Sequence, residues 1–272
     1  MQKQMKIGID SGGTLIKIAY MEKDKIEVKK LSVFEIDQIA SWINSFNSAE
    51  ICVTGGRANQ LKSYLNNTVS VILEFDATIN GAIYLLHNEA FELETYILTN
   101  VGTGTSIHYV QKDRHERIGG TGVGGGTLMG LSQLLTGLSS YNEIVSKVPL
   151  GNREQIDLKV SDIYRGSPPP ISGNLTASNF GKLFVNEESD GLSKEDLLSS
   201  VIGLIGETVA TVSVLAAGQY KASSIVYIGS TFINNEPLKK VIYDYTNLRG
   251  AKPIFLNNGE YCGAIGALLS TL

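Results

Sequence analysis

One pattern recurs along this chain, and it restricts the fold more than any other feature. An apolar strand, a Gly/Thr-rich turn and a second strand occur at residues 7–18 (IGIDSGGTLIKI) and again at residues 98–110 (LTNVGTGTSIHYV). A third strand-like segment follows each: KIEVKKL at residues 25–31, and ERI after a polar turn at residues 111–115. Strands joined by turns this short pair antiparallel, so each copy reads as a three-stranded meander. Self-similarity on this scale points to a duplicated unit.

Helical and strand periods alternate after each meander, the pattern of an α/β protein. In the first half, Ile36, Ile39, Ala40, Ile43 and Phe46 have helical spacing; a strand is expected at 51–54, a helix from near Arg57, a strand at 69–74 and a helix from about 77 to 90. The second half carries a rigid loop at Pro168, Pro169 and Pro170, a long apolar helix, a strand at 224–228, a helix at 238–245, a strand at 253–256 and a closing helix from Glu260. The expected architecture is two similar α/β domains, 1–93 and 94–272, facing each other across a cleft suited to a small molecule.

Composition narrows the partners. With 23 Lys+Arg against 27 Asp+Glu, a net charge of -4, the chain offers no broad cationic field, and neither nucleic acid nor an anionic membrane is expected to bind it. Cys52 and Cys262 lie far apart, and His87, His108 and His115 do not combine with them into a ligand spacing, which excludes a disulfide framework and a structural zinc site. His108 alternates with apolar residues on a strand and reads as a packed histidine, and Cys262 as a packing residue of a small-residue helix. The polar start, residues 1–6, runs straight into a strand without the plan of a signal peptide, so a cytoplasmic location is expected. The segment 201–217, VIGLIGETVATVSVLAA, is apolar or small except for Glu207, yet at 17 residues it falls short of the roughly 20 a bilayer requires. It reads as a helix buried in the core or in a dimer contact, started by a cap at Ser193 and Asp196.

Three glycine-rich elements carry the chemistry. Asp10-Ser11-Gly12-Gly13-Thr14 occupies the first hairpin turn, with Lys17 three residues on. Such a turn is either an ordinary hairpin or a phosphate loop, in which backbone N–H groups converge on an anion and the strand-end carboxylate of Asp10 holds hydrated Mg²⁺. It is not a Walker A loop, because Thr14-Leu15 follows Gly13 where Lys-Ser/Thr is required. Gly102-Thr103-Gly104-Thr105-Ser106 forms the equivalent second turn, and two such turns can clamp a polyphosphate from both sides. The third element, residues 119–126, has six glycines in eight residues before a helix at 127–135, an arrangement suited to cradling an anion at a helix N-terminus.

Together with IVYIGS at residues 225–230, these elements resemble the actin, sugar-kinase and Hsp70 ATPase superfamily. Seven segments in collinear order, IGIDSGGTLIKI, EFDATINGA, NVGTGTSIHY, RIGGTGVGGGT, LTASNFG, YIGSTF and LRGAKPIFLNNGEYCGAIGAL, resemble the bacterial type II pantothenate kinases. The resemblance implies duplicated actin-like ATPase (ribonuclease H-like) domains, phosphorylation of pantothenate by Mg·ATP at its primary hydroxyl as the first step of coenzyme A synthesis, and a homodimer. It implies ATP binding by Asp10, Ser11, Gly12, Gly13, Thr14, Leu15, Ile16 and Lys17, by Thr103, by Gly125, Gly126, Thr127, Leu128 and Met129, and by Ser230. Glu74 matches the general base, and Thr103, Ser106, Arg117 and Tyr141 match positions at or near the substrate.

The residue chemistry agrees with these roles. Phosphoryl transfer depends on positioning and charge neutralisation, with a carboxylate to take the hydroxyl proton. Glu74 is expected at a strand end facing the cleft, whereas Asp76 reads as a charge in a helix's first turn. Arg117, on a hairpin beside the glycine run, suits either the transferring phosphoryl group or the acceptor's oxygens. Rival readings are a sugar or hexosamine kinase, which often carries a zinc-binding cysteine cluster absent here; a dehydratase activator, which needs cluster-forming cysteines; and a non-catalytic ATP-switched module.

Overall fold

The computed structural model describes residues 4–112, 114–185 and 191–272. The first three residues of the polar N-terminal segment and Asp113 of the polar turn lie outside the described residues.

Both expected meanders form. In the first sheet, β1 (Met5–Ser11), β2 (Leu15–Glu22) and β3 (Lys25–Ser32) pair antiparallel, and β4 (Ala49–Thr54) and β5 (Val69–Val71) continue parallel to β1, giving the order β3-β2-β1-β4-β5. In the second, β6 (Thr95–Val101), β7 (Thr105–Gln111) and β8 (Arg114–Thr121) form the meander, and β11 (Ser224–Ile228) and β12 (Lys252–Phe255) add parallel to β6. Its order, β12-β11-β6-β7-β8, is the first order read from the other end. The two sheets have the same topology, as a duplicated actin-like architecture requires.

Helices cover both faces of each sheet, as buried parallel strands demand. On the outer face of the first sheet, α1 (Ile36–Asn44) and α2 (Ala58–Lys62) bury Ile39, Ile43 and Leu61 against Ile7, Ile9 and Ile51. Between the sheets lie α3 (Glu74–Asn88) and α10 (Cys262–Leu269), whose Ile79, Leu85, Ile265 and Leu268 pack against Ala19 of one sheet and Leu98, Val226 and Ile254 of the other. These two helices cross at contact distance because glycines remove the side chains there. A Cβ on Gly266 would stand 1.8 Å from the Ala77 carbonyl oxygen, and one on Gly81 2.0 Å from that of Cys262.

The outer face of the second sheet is covered by α4 (Gly125–Thr136), α8 (Lys194–Tyr220) and α9 (Glu236–Leu248). The expected cap starts α8: the Asp196 N–H donates to the Ser193 hydroxyl at 3.0 Å, and the Ser193 N–H to the Asp196 carboxylate at 3.2 Å. By length and composition α8 is long and apolar enough to cross a membrane, but here Leu198, Val201, Ile205 and Val209 are buried in the core of the second sheet. Its one buried charge, Glu207, meets Arg153 at 2.5 Å, Thr176 at 2.8 Å and Asn179 at 3.1 Å, while Arg153 also binds Asp157 at 2.7 Å. This buried polar network, its acceptors satisfied as burial requires, ties α8 to an insertion. That insertion, with α5 (Tyr141–Lys147), β9 (Leu158–Lys159), α6 (Val160–Tyr164), β10 (Thr176–Ser178) and α7 (Lys182–Val185), holds the Pro168–Pro170 loop between α6 and β10.

Three expectations are corrected. Glu74 does not end a strand: β5 stops at Val71 and Glu74 is the first residue of α3. Residues 119–126 do not lead into the helix as a single element, because Gly119, Gly120 and Thr121 belong to β8, paired with Ile107, Ser106 and Thr105, and only residues 122–124 turn into α4. The closing helix begins at Cys262, after a single 3₁₀ turn at Gly259–Tyr261.

Candidate active site

The β1–β2 hairpin register sets the first part of the site. It places Asp10 opposite Lys17, and the ammonium lies 3.0 Å from the carboxylate. The Gly12 N–H closes the turn on the Leu15 carbonyl at 3.1 Å. Strand alternation then divides the eight residues of this motif. Asp10, Gly12, Gly13, Thr14, Leu15 and Lys17 line a cleft of about 800 Å³, a volume suited to a nucleotide-sized ligand. Ile16 faces the core of the first sheet, and Ser11 is buried with its hydroxyl unpartnered.

The second turn and the start of α4 form the opposite wall, through Gly102, Thr103, Gly125, Gly126 and Met129. Here the expected N–H cradle is corrected. The Gly125 and Gly126 N–H groups donate to the Gly102 and Thr103 carbonyls, each at 2.8 Å, and the Gly124 N–H to the Thr127 hydroxyl at 3.2 Å. The first amides of the helix are therefore spent within the protein. What the glycines supply is close approach: a Cβ on Gly125 would lie 2.6 Å from the Thr231 hydroxyl oxygen and 2.9 Å from the Gly102 carbonyl oxygen. Thr127 acts as the helix cap, and Leu128 is fully buried in the core.

Glu74 lines the same cleft, as does Thr78 one turn on. Burial pushes its carboxyl above the usual carboxylate range and the nearby Asp10 charge adds to this, while Lys17 opposes it. A carboxylate with raised proton affinity is a stronger base. Asp76, two residues on, turns instead to His115 on β8, 2.9 Å away.

Ser106 and Arg117 stand one row beyond the cleft wall. The ladder runs Asn100, Ser106, Gly120 across three strands, and Asn100 is itself part of the wall. The register of β7 and β8 then slips, so that Arg117, and not Ile118, opposes His108. The Arg117 guanidinium lies 5.7 Å from the centre of the Phe75 ring, and a Cβ on Gly120 would come within 3.0 Å of its Nη2. Phe75, next to Glu74, packs on the His108 ring at 4.9 Å. Of the four acceptor residues expected from sequence, Arg117 reaches the first turn of α3 through Phe75, and Ser106 through His108; Thr103 and Tyr141 lie elsewhere along the cleft wall.

Tyr141 and Ser230 also line the cleft. The Tyr141 hydroxyl donates to the Thr231 carbonyl at 2.8 Å, with the Ile233 carbonyl at 3.0 Å, so its one proton is engaged by the loop that carries Ser230. Burial pushes this phenol up to about 12. Cys262 is buried at the end of the cleft, and burial pushes its thiol well above the usual range. Lys30, Asn100, Asn142, Glu260 and Gly263 also line the cleft and escaped sequence reasoning. Glu260 and Gly263 lie in the quoted C-terminal segment and Asn100 in NVGTGTSIHY, whereas Lys30 has no motif and reaches the cleft because it opposes Lys17 across β2 and β3.

Residues 26–270 match the Fumble family. A type II pantothenate kinase of Bacillus cereus (strain AH820) is 45% identical over 97% of this chain and 96% of the relative, and one of Staphylococcus aureus (strain USA300) is 43% identical over 97% and 98%. Among solved structures, the activator of the 2-hydroxyisocaproyl-CoA dehydratase from Clostridium difficile with bound ADPNP aligns at a TM-score of 0.63 and 14% identity, covering 98% of this chain and 94% of that one. A ROK family glucokinase from Streptomyces griseus, in complex with glucose and AMPPNP, aligns at 0.56 and 13%, covering 98% of each. At these identities the solved structures establish the actin-like kinase and ATPase fold alone. With paired glycine turns, a carboxylate between them and relatives this similar over nearly the whole length, the chain belongs to the Fumble family of type II pantothenate kinases.

Proposed function

We infer that this protein transfers the γ-phosphoryl group of ATP to the primary hydroxyl of pantothenate, giving 4'-phosphopantothenate, the first step of coenzyme A synthesis. The observation that carries the reading is the position of Glu74. It lines the cleft beside Asp10 and Lys17, and the ring of the next residue, Phe75, lies under the Arg117 guanidinium. Glu74 takes the acceptor's hydroxyl proton at its carboxylate, the first-turn residues and Lys17 meet the phosphates, and Arg117 holds the acceptor's anionic end by charge-assisted hydrogen bonds.

The donor set fits Mg²⁺. Among the described residues no group of three or more His, Cys, Asp or Glu is placed to hold a metal. Mg²⁺ bound with a nucleotide needs only one or two protein carboxylates, because phosphates and water complete its shell. Asp10, in the cleft wall, is that carboxylate. The ion supplies neutralisation of phosphate charge when bound.

Cys52 and Cys262 are both buried, which speaks against a cluster-bearing activator. We further propose two lobes, 1–93 and 94–272, a cytoplasmic location and a homodimer. The test is ADP release from Mg·ATP with pantothenate, with N-acetylglucosamine or N-acetylmannosamine, and with no acceptor. Turnover stimulated only by pantothenate is expected; turnover with an amino sugar, or equal turnover without acceptor, overturns the reading.

A further inference from the structure

His108 is 1% exposed, on the central strand of the second meander. Its Nε2 lies 3.1 Å from the Ser106 hydroxyl oxygen, and its Nδ1 is buried with no hydrogen-bond partner. A ring with one partnered and one orphaned nitrogen has a preferred tautomer. Burying an N–H without an acceptor is rarer in native proteins than leaving an acceptor unfilled, so the proton belongs on Nε2. That nitrogen then donates to the Ser106 oxygen. The Ser106 hydroxyl proton is left free to point away, along the row that runs from Asn100 of the cleft wall to Gly120.

The surroundings hold the ring in this state. Phe75 packs on one side at 4.9 Å, and Arg117 is its cross-strand neighbour. Burial, then the positive field of Arg117, then that of His115, push the imidazole down to about 4, so it stays neutral at pH 7. A neutral ring beside a guanidinium neither repels it nor competes with it for the acceptor's negative charge.

We propose that His108 is a positioning residue for the acceptor: through Nε2–H it fixes the Ser106 hydroxyl as a hydrogen-bond donor beside Arg117, and its ring backs the Phe75 side chain that flanks Glu74. The proposal rests on pantothenate being the acceptor, and its test keeps the two apart. Glutamine places an amide N–H near the position of Nε2 and leucine places none. Kinetics with wild type, His108→Gln, His108→Leu, Ser106→Ala and the Ser106→Ala/His108→Leu double variant are expected to show a pantothenate KM raised about tenfold by leucine, largely restored by glutamine, with the ATP KM unchanged. In the Ser106→Ala background, His108→Leu should add much less than it does in wild type, only the loss of the ring behind Phe75 remaining. An unchanged pantothenate KM in His108→Leu, an equal rise for ATP, or full additivity overturns the proposal. A wild-type enzyme that phosphorylates a different alcohol overturns the pantothenate reading, and the same variants are then scored on that alcohol. Independently of any acceptor, long-range ¹H–¹⁵N correlation at pH 7 should show His108 as the neutral Nε2–H tautomer; the Nδ1–H tautomer overturns the proposal.

Discussion

Arg117 stands directly across from His108 because β8 carries one residue more than β7 at that point. In a regular ladder Ile118 would occupy the slot and Arg117 would face the other side of the sheet. The bulge sends Ile118 into the core shared with Ile97, Ile107 and Leu128, and brings the guanidinium over Phe75. Bulges often re-aim a side chain at an active site in this way. Arg117→Ala is expected to raise the pantothenate KM about 10–100-fold, the loss of a hydrogen-bonded charge. Arg117→Lys should recover only part of this, because a point charge lacks the planar fork. Steady-state kinetics at saturating ATP decides it, and an unchanged KM in Arg117→Ala would place the acceptor elsewhere.

Glu74 must be deprotonated to act as a base. Burial and Asp10 raise its proton affinity, so the acid limb of kcat/KM should lie above the ordinary 4.5, with activity rising as pH rises through it. Lys17 holds that midpoint down, and Lys17→Met should move the limb to higher pH besides lowering the rate. Glu74→Gln should cost about 10²–10⁴-fold in kcat. A limb that stays put in Lys17→Met would argue against Glu74 as the titrating group.

His108 links stability to acidity. Its folded value, about 4, lies below the ordinary 6.5, so between these limits the unfolded chain binds a proton that the folded protein refuses. Stability should therefore fall as pH drops from 6.5 towards 4, by ~3 kcal/mol at most from this group, and the contribution should be constant above 6.5. Urea unfolding of wild type and His108→Gln at pH 7, 5.5 and 4.5 checks this. The glutamine variant should lack that share of the acid loss, and parallel curves would contradict it.

The crossing of α3 and α10 depends on Gly266. A methyl group there meets the Ala77 carbonyl at 1.8 Å, so Gly266→Ala should destabilise by about 1–3 kcal/mol through overpacking. Ala77 is within a turn of Glu74, so kcat should fall as well. A methyl group on Gly218 of α8 would meet no packing neighbour within 4 Å, and Gly218→Ala should gain about 0.5–1 kcal/mol instead. Thermal unfolding of the two variants should move in opposite directions, and a Gly266→Ala protein as stable as wild type would show that the helices can separate freely.

What the sequence made legible was local. The two meanders were readable because turn chemistry and strand alternation act over a few residues, and the Asp10–Lys17 pair follows from that hairpin. Glu74 reads as strand because VILEF continues the apolar run of β5, and the helix that starts at Glu74 has no capping side chain at Leu73 to announce it. The glycine run reads as one cradle before a helix, because composition does not record that Gly120 pairs with Ser106. The insertion was illegible for a different reason: Thr176 and Glu207 are brought from distant positions to the Arg153–Asp157 pair, and such long-range contacts leave no periodicity. Ser106 and Arg117 were found by motif, while the register slip that makes them neighbours is a property of the folded ladder.

The last helix also fixes an order of events. Strand β1 is an early product of synthesis, yet its Gly8 has room for only the backbone of Leu268, and Lys6 donates to the Thr271 carbonyl, 265 residues away. While the chain is being made, β1 lacks the helix that lies across Gly8, and α3 lacks the one that lies across Gly81. The half that is translated first is completed last. A nascent chain stalled before residue 262 would therefore expose an apolar surface for chaperones or proteases to recognise, however well its own strands had paired.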